Sequence, residues 1–144
     1  AGTQVRTLAQ EEAGQDAPAQ PGRLQNWPVQ LQLVPVRAPY FDGCDLLIAA
    51  DCTAYACGSF HADFIRGHVT LIGCPKLDRA DYEEKLTAIL MENNVRSITL
   101  TRMEVPCCGG LEYAARQAVE ASGKSIPMRV VTFMADGKLL PQDA

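Results

Sequence analysis

Four short apolar runs, spaced by segments of helical pattern, most constrain what this chain can fold into. They are DLLIAA from Asp45, HVTLIG from His68, VRSITLTRM from Val95 and IPMRVVTFM from Ile126. Runs this short and this continuous suit strands covered on both faces. Between them lie stretches with apolar residues at helical spacing. One covers residues 53–65, with Asp51 or Thr53 as its cap and Gly67 as its stop. A second runs from Asp78 or Asp81 to about Glu92, with Leu86, Ile89 and Leu90 on its inner face. A third covers 111–121 and ends at Gly123. Strands alternating with helices of about ten to fifteen residues indicate βαβ units. The expected fold class is therefore α/β, an open, mainly parallel sheet with helices on both faces, the Rossmann-like architecture.

The segment from Val29 to Val34 alternates apolar and polar residues and predicts a half-buried strand at or near a sheet edge. Its direction is open. Residues 1–23 are rich in Ala, Gln, Glu, Gly and Pro, and offer too little apolar surface to offset their ordering entropy. They read as a linker or N-terminal arm, with a weak helical pattern from Val5 to Ala13. Residues 24–144 read as a single cysteine-rich α/β domain. If the arm is ordered, a second subunit is the expected surface for it, so a homo-oligomer is compatible with the chain.

Four of the six cysteines fall just past predicted strands: Cys52, Cys74 and the vicinal pair Cys107 and Cys108. Residues past the carboxyl ends of parallel strands gather on one rim, where such folds place ligands. Three distant segments thus deliver thiols to one region. The pair opens a helix, whose unpaired amides and dipole favour thiolate over thiol. Gly109 and Gly110, next to the pair, leave room for a bound cofactor. Cys57 and His61 are four residues apart on the predicted helix and could share a face, as additional ligands or as groups touching the ligands. The plainer alternative is that Cys57 packs inward and His61 is a surface residue. Cys44 reads as a small buried hydrophobe.

Four thiolates suit a 4Fe–4S cluster or a tetrahedral zinc. Adjacent cysteines diverge, which suits two irons of a cluster better than one zinc, and the Cys-x2-Cys knuckles of structural zinc sites are absent. Iron–sulfur is therefore the first expectation and zinc the second. The loops around Tyr55 and Phe60 would cover the cluster. A zinc hydrolase would need a base, for which Asp51, His61 or Glu104 offers itself. A metal-free thiol–disulfide enzyme using Cys107 and Cys108 is a further alternative, and a docking module with incidental cysteines is another. Arg102, near a strand end, reads as a surface ion pair or an anion holder, and Trp27 as a packing anchor.

The net charge of −4 and the lack of a basic stripe argue against nucleic acid. No apolar run is long enough to span a bilayer as a helix, so no membrane partner is expected. Cysteine usage of this kind fits a reducing cytoplasm.

The segments WPVQLQLVPVRAPYFDGCDLLIAADCTAYACGSFHADFIRG, VTLIGCPKLD and MEVPCCGGLEYA resemble the C-terminal region of a bacterial and archaeal family of ferredoxin-like 4Fe–4S binding proteins. The resemblance covers about residues 24–134. It implies cluster ligation by Cys52, Cys74, Cys107 and Cys108, with His61 also in the pattern, whereas Cys44 and Cys57 stand where other residues are common. Members carry an N-terminal dicluster ferredoxin domain. No Cys-x2-Cys-x2-Cys-x3-Cys-Pro run is present here, so residues 1–23 would correspond to the linker. The resemblance implies a redox role, as an oxidoreductase component of anaerobic metabolism, with a ferredoxin or a redox enzyme as partner. A weaker likeness joins Cys74 and Cys107-Cys108 to the first part of the cysteine-rich motif of heterodisulfide reductases, whose further cysteines are missing.

Overall fold

The computed structural model describes residues 5–9, 19–78 and 81–140. The strands are β1 (Asp45–Ala50), β2 (Val69–Gly73), β3 (Ser97–Met103) and β4 (Met128–Phe133). The helices are α1 (Thr53–Ala56), α2 (Tyr82–Glu92) and α3 (Gly109–Ser122). Short 3-10 turns occupy Pro39–Phe41 and Pro106–Cys108, and a π-helical turn occupies His61–Ile65.

All four strands are parallel, in the order β2-β1-β3-β4. The chain steps outward from β1 to β2, then crosses back to β3 and on to β4. Right-handed crossovers in opposite directions put their connections on opposite faces. Residues 51–68 thus cover one face, and α2 and α3 cover the other. The register sets Leu46 beside Val69 and Ile98, and Leu100 beside Val130. Leu46, Ile48, Leu71, Ile98 and Leu100 are almost wholly buried, as are Leu86, Ile89 and Leu90 of α2 and Leu111 and Ala118 of α3. Each large side chain so buried contributes about 1.5–3 kcal/mol. The carboxylate of Asp81 accepts from the Glu84 amide and caps α2, as its sequence predicts. Gly67 and Gly123 stop their segments with positive φ.

Three local expectations fail. The strand predicted over 29–34 shrinks to one parallel bridge, Gln30 to Ile72, after which the amides of Leu33 and Val34 turn back onto the Gln30 carbonyl. That turn brings Leu31 and Val34 into the core together and leaves Leu33 outside. Strand alternation would instead have grouped 29, 31 and 33. The helix predicted over 53–65 breaks at Cys57, whose backbone is extended (φ −94°, ψ 112°). Gly58 lies in the break, and a separate π-helical turn follows. Thr53 caps nothing. Its buried hydroxyl donates to the Ala50 carbonyl at 2.8 Å and meets the Thr101 hydroxyl at 3.0 Å. Finally, α3 starts at Gly109 because the Pro106–Cys108 turn runs straight into it.

The outer edge of β2 is closed by the preceding segment. The Asn26 side chain accepts from the Thr70 amide at 2.9 Å and donates to the Thr70 carbonyl at 3.0 Å. The Ile72 amide donates to Val29, and its carbonyl accepts from Leu31. Trp27, expected to anchor this strap, is 76% exposed; Asn26 and Leu31 do the anchoring. On the far edge, Leu139 bridges back to Phe133 and the Leu140 amide donates to Thr132. Val5 to Ala9 have no regular structure, and the rest of the helical pattern read from Val5 to Ala13 lies outside the described residues.

At the amino end of β1, Asp45 pairs with the Arg96 guanidinium and accepts from the Ser97 hydroxyl at 2.6 Å. The Arg96 hydrogen bonds, then Ser97, hold its carboxyl at about 2, below the ordinary 3.8. The fold favours the charged form, so this contribution is present above pH 3.8 and is lost as pH falls through about 2. Arg96 is mostly exposed, so Asp45→Asn is expected to cost at most about 1 kcal/mol at pH 7. Thermal melts from pH 7 to 2 should show the two proteins converging at the acid end.

Candidate functional site

The strand order creates one switch point, between β1 and β3. Their onward connections leave to opposite faces, and the crevice between their carboxyl ends is where open α/β sheets bind ligands. Cys52 follows β1 by two residues, Cys74 directly follows β2, and Cys107 and Cys108 follow β3. The thiols expected at the rim therefore flank the switch point. Cys44 lies at the other end of β1, buried, where burial first and Asp45 second push its thiol up to about 11.

Backbone contacts lock the strand exits together. The Asp51 amide donates to the Gly73 carbonyl at 3.1 Å, tying the end of β1 to that of β2. The Cys74 amide donates to the Tyr82 hydroxyl at 2.9 Å and more weakly to Asp78 at 3.4 Å, while the Tyr82 hydroxyl donates to Asp78. Tyr82 can reach Cys74 only because Gly73 lacks a side chain. A Cβ there would lie 2.8 Å from the hydroxyl oxygen. Next, Pro75 rests on α3, where a Cβ on Gly110 would meet its ring at 3.2 Å. Gly110 thus permits the loop after Cys74 to lie against the start of the Cys107–Cys108 helix. At Gly109 a Cβ would make only an ordinary contact, 3.8 Å from Arg102. Arg102 is four-fifths buried. It bonds the carbonyls of Met103 and Val105 and Glu112 of α3, and so shapes the loop that delivers Cys107.

The thiols sense one another. Cys52 is exposed, yet partial desolvation, and then the neighbouring Cys74, Asp51 and Cys107, raise its thiol above the usual range. Burial also raises the Cys108 thiol and its neighbour Cys107 raises it further, against a lowering contribution from the Met103 backbone. The helix end is expected to favour thiolate, whereas burial raises the Cys108 thiol. All six cysteines are free thiols. Among the described residues, no group of three or more His, Cys, Asp or Glu side chains is drawn tight enough to hold a metal ion. The four thiols share a rim without forming a closed cage. Tyr55, expected to cover them, is 93% exposed, and Phe60 is committed to a cluster with Phe64 and Phe133.

Cys57 and His61 do not share a helix face, because the helix breaks between them. Cys57 is buried at the end of α1. The Nδ1 of His61 accepts from the Arg23 amide at 3.1 Å, so this ring pins the strap and has only Nε2 free of that bond. Glu104 is paired with Arg6 at 3.3 Å. Asp51 differs from both: burial, then Asp78, raise its carboxyl above the usual range, and one of its oxygens is buried without a partner. Tyr82 was not legible as a site residue, because its pattern spacing marks it as core. Asp78 was legible only as a helix cap. The signal was present in the spacing Cys74-x3-Asp78-x3-Tyr82, which places three polar groups on successive turns.

A family model described as a Rossmann-like domain matches residues 38–144. An uncharacterized protein of Archaeoglobus fulgidus is 31% identical over 119 residues, which cover 82% of this chain and 84% of that protein. No solved structure matches the chain. Among the described residues, no helix is long and apolar enough to cross a membrane.

Proposed function

The chain belongs to the Rossmann-like domain family, and from that fold and its thiol-bearing rim we propose that it is an iron–sulfur redox protein. Cys52, Cys74, Cys107 and Cys108 would hold the cluster, a 4Fe–4S cluster by the number of donors. One observation carries this reading: four thiols from three separate strand exits flank the single switch point of the sheet, with Cys52 within electrostatic reach of both Cys74 and Cys107. The donor set suits the group in kind: it is all sulfur and comes from three loops fixed to one another. The thiols stand apart in this structure, so binding would draw them together. Such a cluster, when bound, supplies one-electron chemistry.

The chain's own residues have defined tasks in this reading. Tyr82 and Asp78 fix the Cys74 backbone, and Arg102 fixes the loop before Cys107. The raised Cys52 and Cys108 thiols would give up their protons to solvent as they take a ligand. The resemblance to ferredoxin-like 4Fe–4S proteins supports an electron-transfer role beside a ferredoxin or redox enzyme. It also supports membership of an oxidoreductase system in the cytoplasm, a compartment that suits six free thiols. A metal-free thiol–disulfide role is the second reading, favoured by two adjacent free thiols, Cys107 and Cys108, at the start of α3.

The test is metal and sulfide analysis of protein purified without oxygen and then reconstituted with iron and sulfide. About four irons and four sulfides per chain, with a visible charge-transfer band, are expected. Stoichiometric zinc without sulfide, or no metal after reconstitution, would overturn the reading.

A further inference from the structure

On the sheet face opposite α2 and α3, a cavity of about 400 Å³ lies beneath the strap that carries Asn26. Its walls are mainly aliphatic: Leu24 and Val29 from the strap, Ala49 and Ile72 from β1 and β2, and Ile65 from the π-helical turn. Ala49 is the small residue at its floor, beside Ile72 in the register. Two buried polar atoms of lining residues have no partner, the Thr70 hydroxyl and one carboxylate oxygen of Asp51. The third such atom among the described residues, the Tyr40 hydroxyl, belongs to a residue outside this lining. His61 also lines the cavity, with its Nε2 free of the Arg23 bond.

Thr70 is 1% exposed, and Asn26 satisfies its backbone but not its hydroxyl. Valine has the same shape without the oxygen and a comparable preference for strands. The position therefore keeps a hydroxyl that the fold itself does not use, and a buried hydroxyl is costly without a partner. Asp51 stands at the other end of the cavity, next to Cys52, and forms no ion pair among the described residues. A carboxylate accepts hydrogen bonds and does not donate them, so it attracts donors. Mostly apolar walls with a few convergent polar atoms are the usual make-up of a small-molecule site.

We propose that this cavity binds a small organic molecule with a short apolar body and an uncharged or cationic head that donates a hydrogen bond to Asp51, with Thr70 as a further partner. The strap is its outer wall, held at Asn26 and by the Arg23 amide on His61. The site does not depend on the thiols holding a metal, although Asp51 directly precedes Cys52 in the chain.

Three six-carbon probes test it on the full chain: hexan-1-ol, n-hexylamine and hexanoate, followed by amide and methyl chemical shifts and by melting temperature. The alcohol or the amine is expected to shift the resonances of Leu24, Thr70 and Ile72 saturably, and hexanoate is not. Thr70→Val should weaken binding about two- to tenfold, as for one hydrogen bond, while leaving the free protein as stable as before or more so. Ala49→Leu should abolish binding by filling the floor. If that variant does not fold, Leu24→Trp fills the cavity from the half-exposed strap. The proposal is overturned if neither donor probe binds, if hexanoate binds as well as they do, or if a folded cavity-filling variant binds unchanged. Metal content measured on the same samples keeps this result separate from the cluster reading.

Discussion

Replacing Cys74 with alanine is expected to lower the iron retained after anaerobic reconstitution by more than tenfold, while Cys44→Ala leaves it unchanged. Both residues are partly or wholly buried cysteines beside a strand. They differ in the end of the sheet they occupy. Cys74 leaves β2 at the rim, and its amide is held by Tyr82 and Asp78. Cys44 enters β1 at the opposite end, among core side chains. Loss of a group that merely orients a metal ligand typically costs about 10- to 100-fold in affinity, so loss of a ligand should cost at least as much. The comparison is read from iron and sulfide per chain, with a urea melt to establish that both variants fold. Equal iron in the two variants would remove Cys74 from the ligand set and with it the argument from the switch point.

Gly137→Ala is expected to destabilise the fold by roughly 2–5 kcal/mol, from a left-handed penalty of about 1–2 kcal/mol and an overpacking penalty of about 1–3 kcal/mol. Gly137 has φ +90°, and a Cβ there would stand 2.2 Å from the Ala56 carbonyl oxygen. That oxygen belongs to the last residue of α1. Backbone cannot swing aside as a flexible side chain can, so the turn after β4 or α1 itself must move. The control is Gly43→Ala. Gly43 also has positive φ, at +71°, but its Cβ would meet nothing within 4 Å. It should lose only the conformational part, about 1–2 kcal/mol. Urea midpoints of the two variants separate backbone preference from contact. Similar losses would show that the Gly137–Ala56 approach is not what makes the glycine necessary. A much larger loss at Gly137 should also lower metal retention, since α1 begins at the residue after Cys52.

The sequence carried the parallel sheet because its evidence is redundant. Each of the four apolar runs, and each of the stops at Gly67 and Gly123, independently marks the same alternation. The rim position of Cys52, Cys74, Cys107 and Cys108 follows from that alternation alone. Where a single pattern had to serve, the reading failed. Val29 to Val34 alternates like a strand, but the same residues place Leu31 and Val34 three apart, and a turn uses that spacing. Residues 53–65 carry helical spacing, yet Gly58 and the burial of Thr53 under β3 outweigh it. Tyr82 and Asp78 were hidden because their task depends on Gly73 being bare beneath the ring, a contact between residues nine apart that no local pattern records. The raised thiol at Cys108 reflects its burial, which depends on packing that the local sequence does not record.

The closed edge of β2 has a consequence for how the protein behaves when crowded. Edge strands with unpaired amides and carbonyls are templates on which other chains can lay a strand. Here the outward groups of Thr70 and Ile72 are all taken, two by the Asn26 side chain and two by Val29 and Leu31. The carboxyl half of β4 is occupied by Leu139 and Leu140, and its amino half carries the exposed Arg129, a charge of the kind that discourages strand addition. Growth of the sheet from copy to copy is thereby blocked on one side and opposed on the other. Contacts between copies are left to surfaces where side-chain chemistry rather than backbone pairing decides what binds.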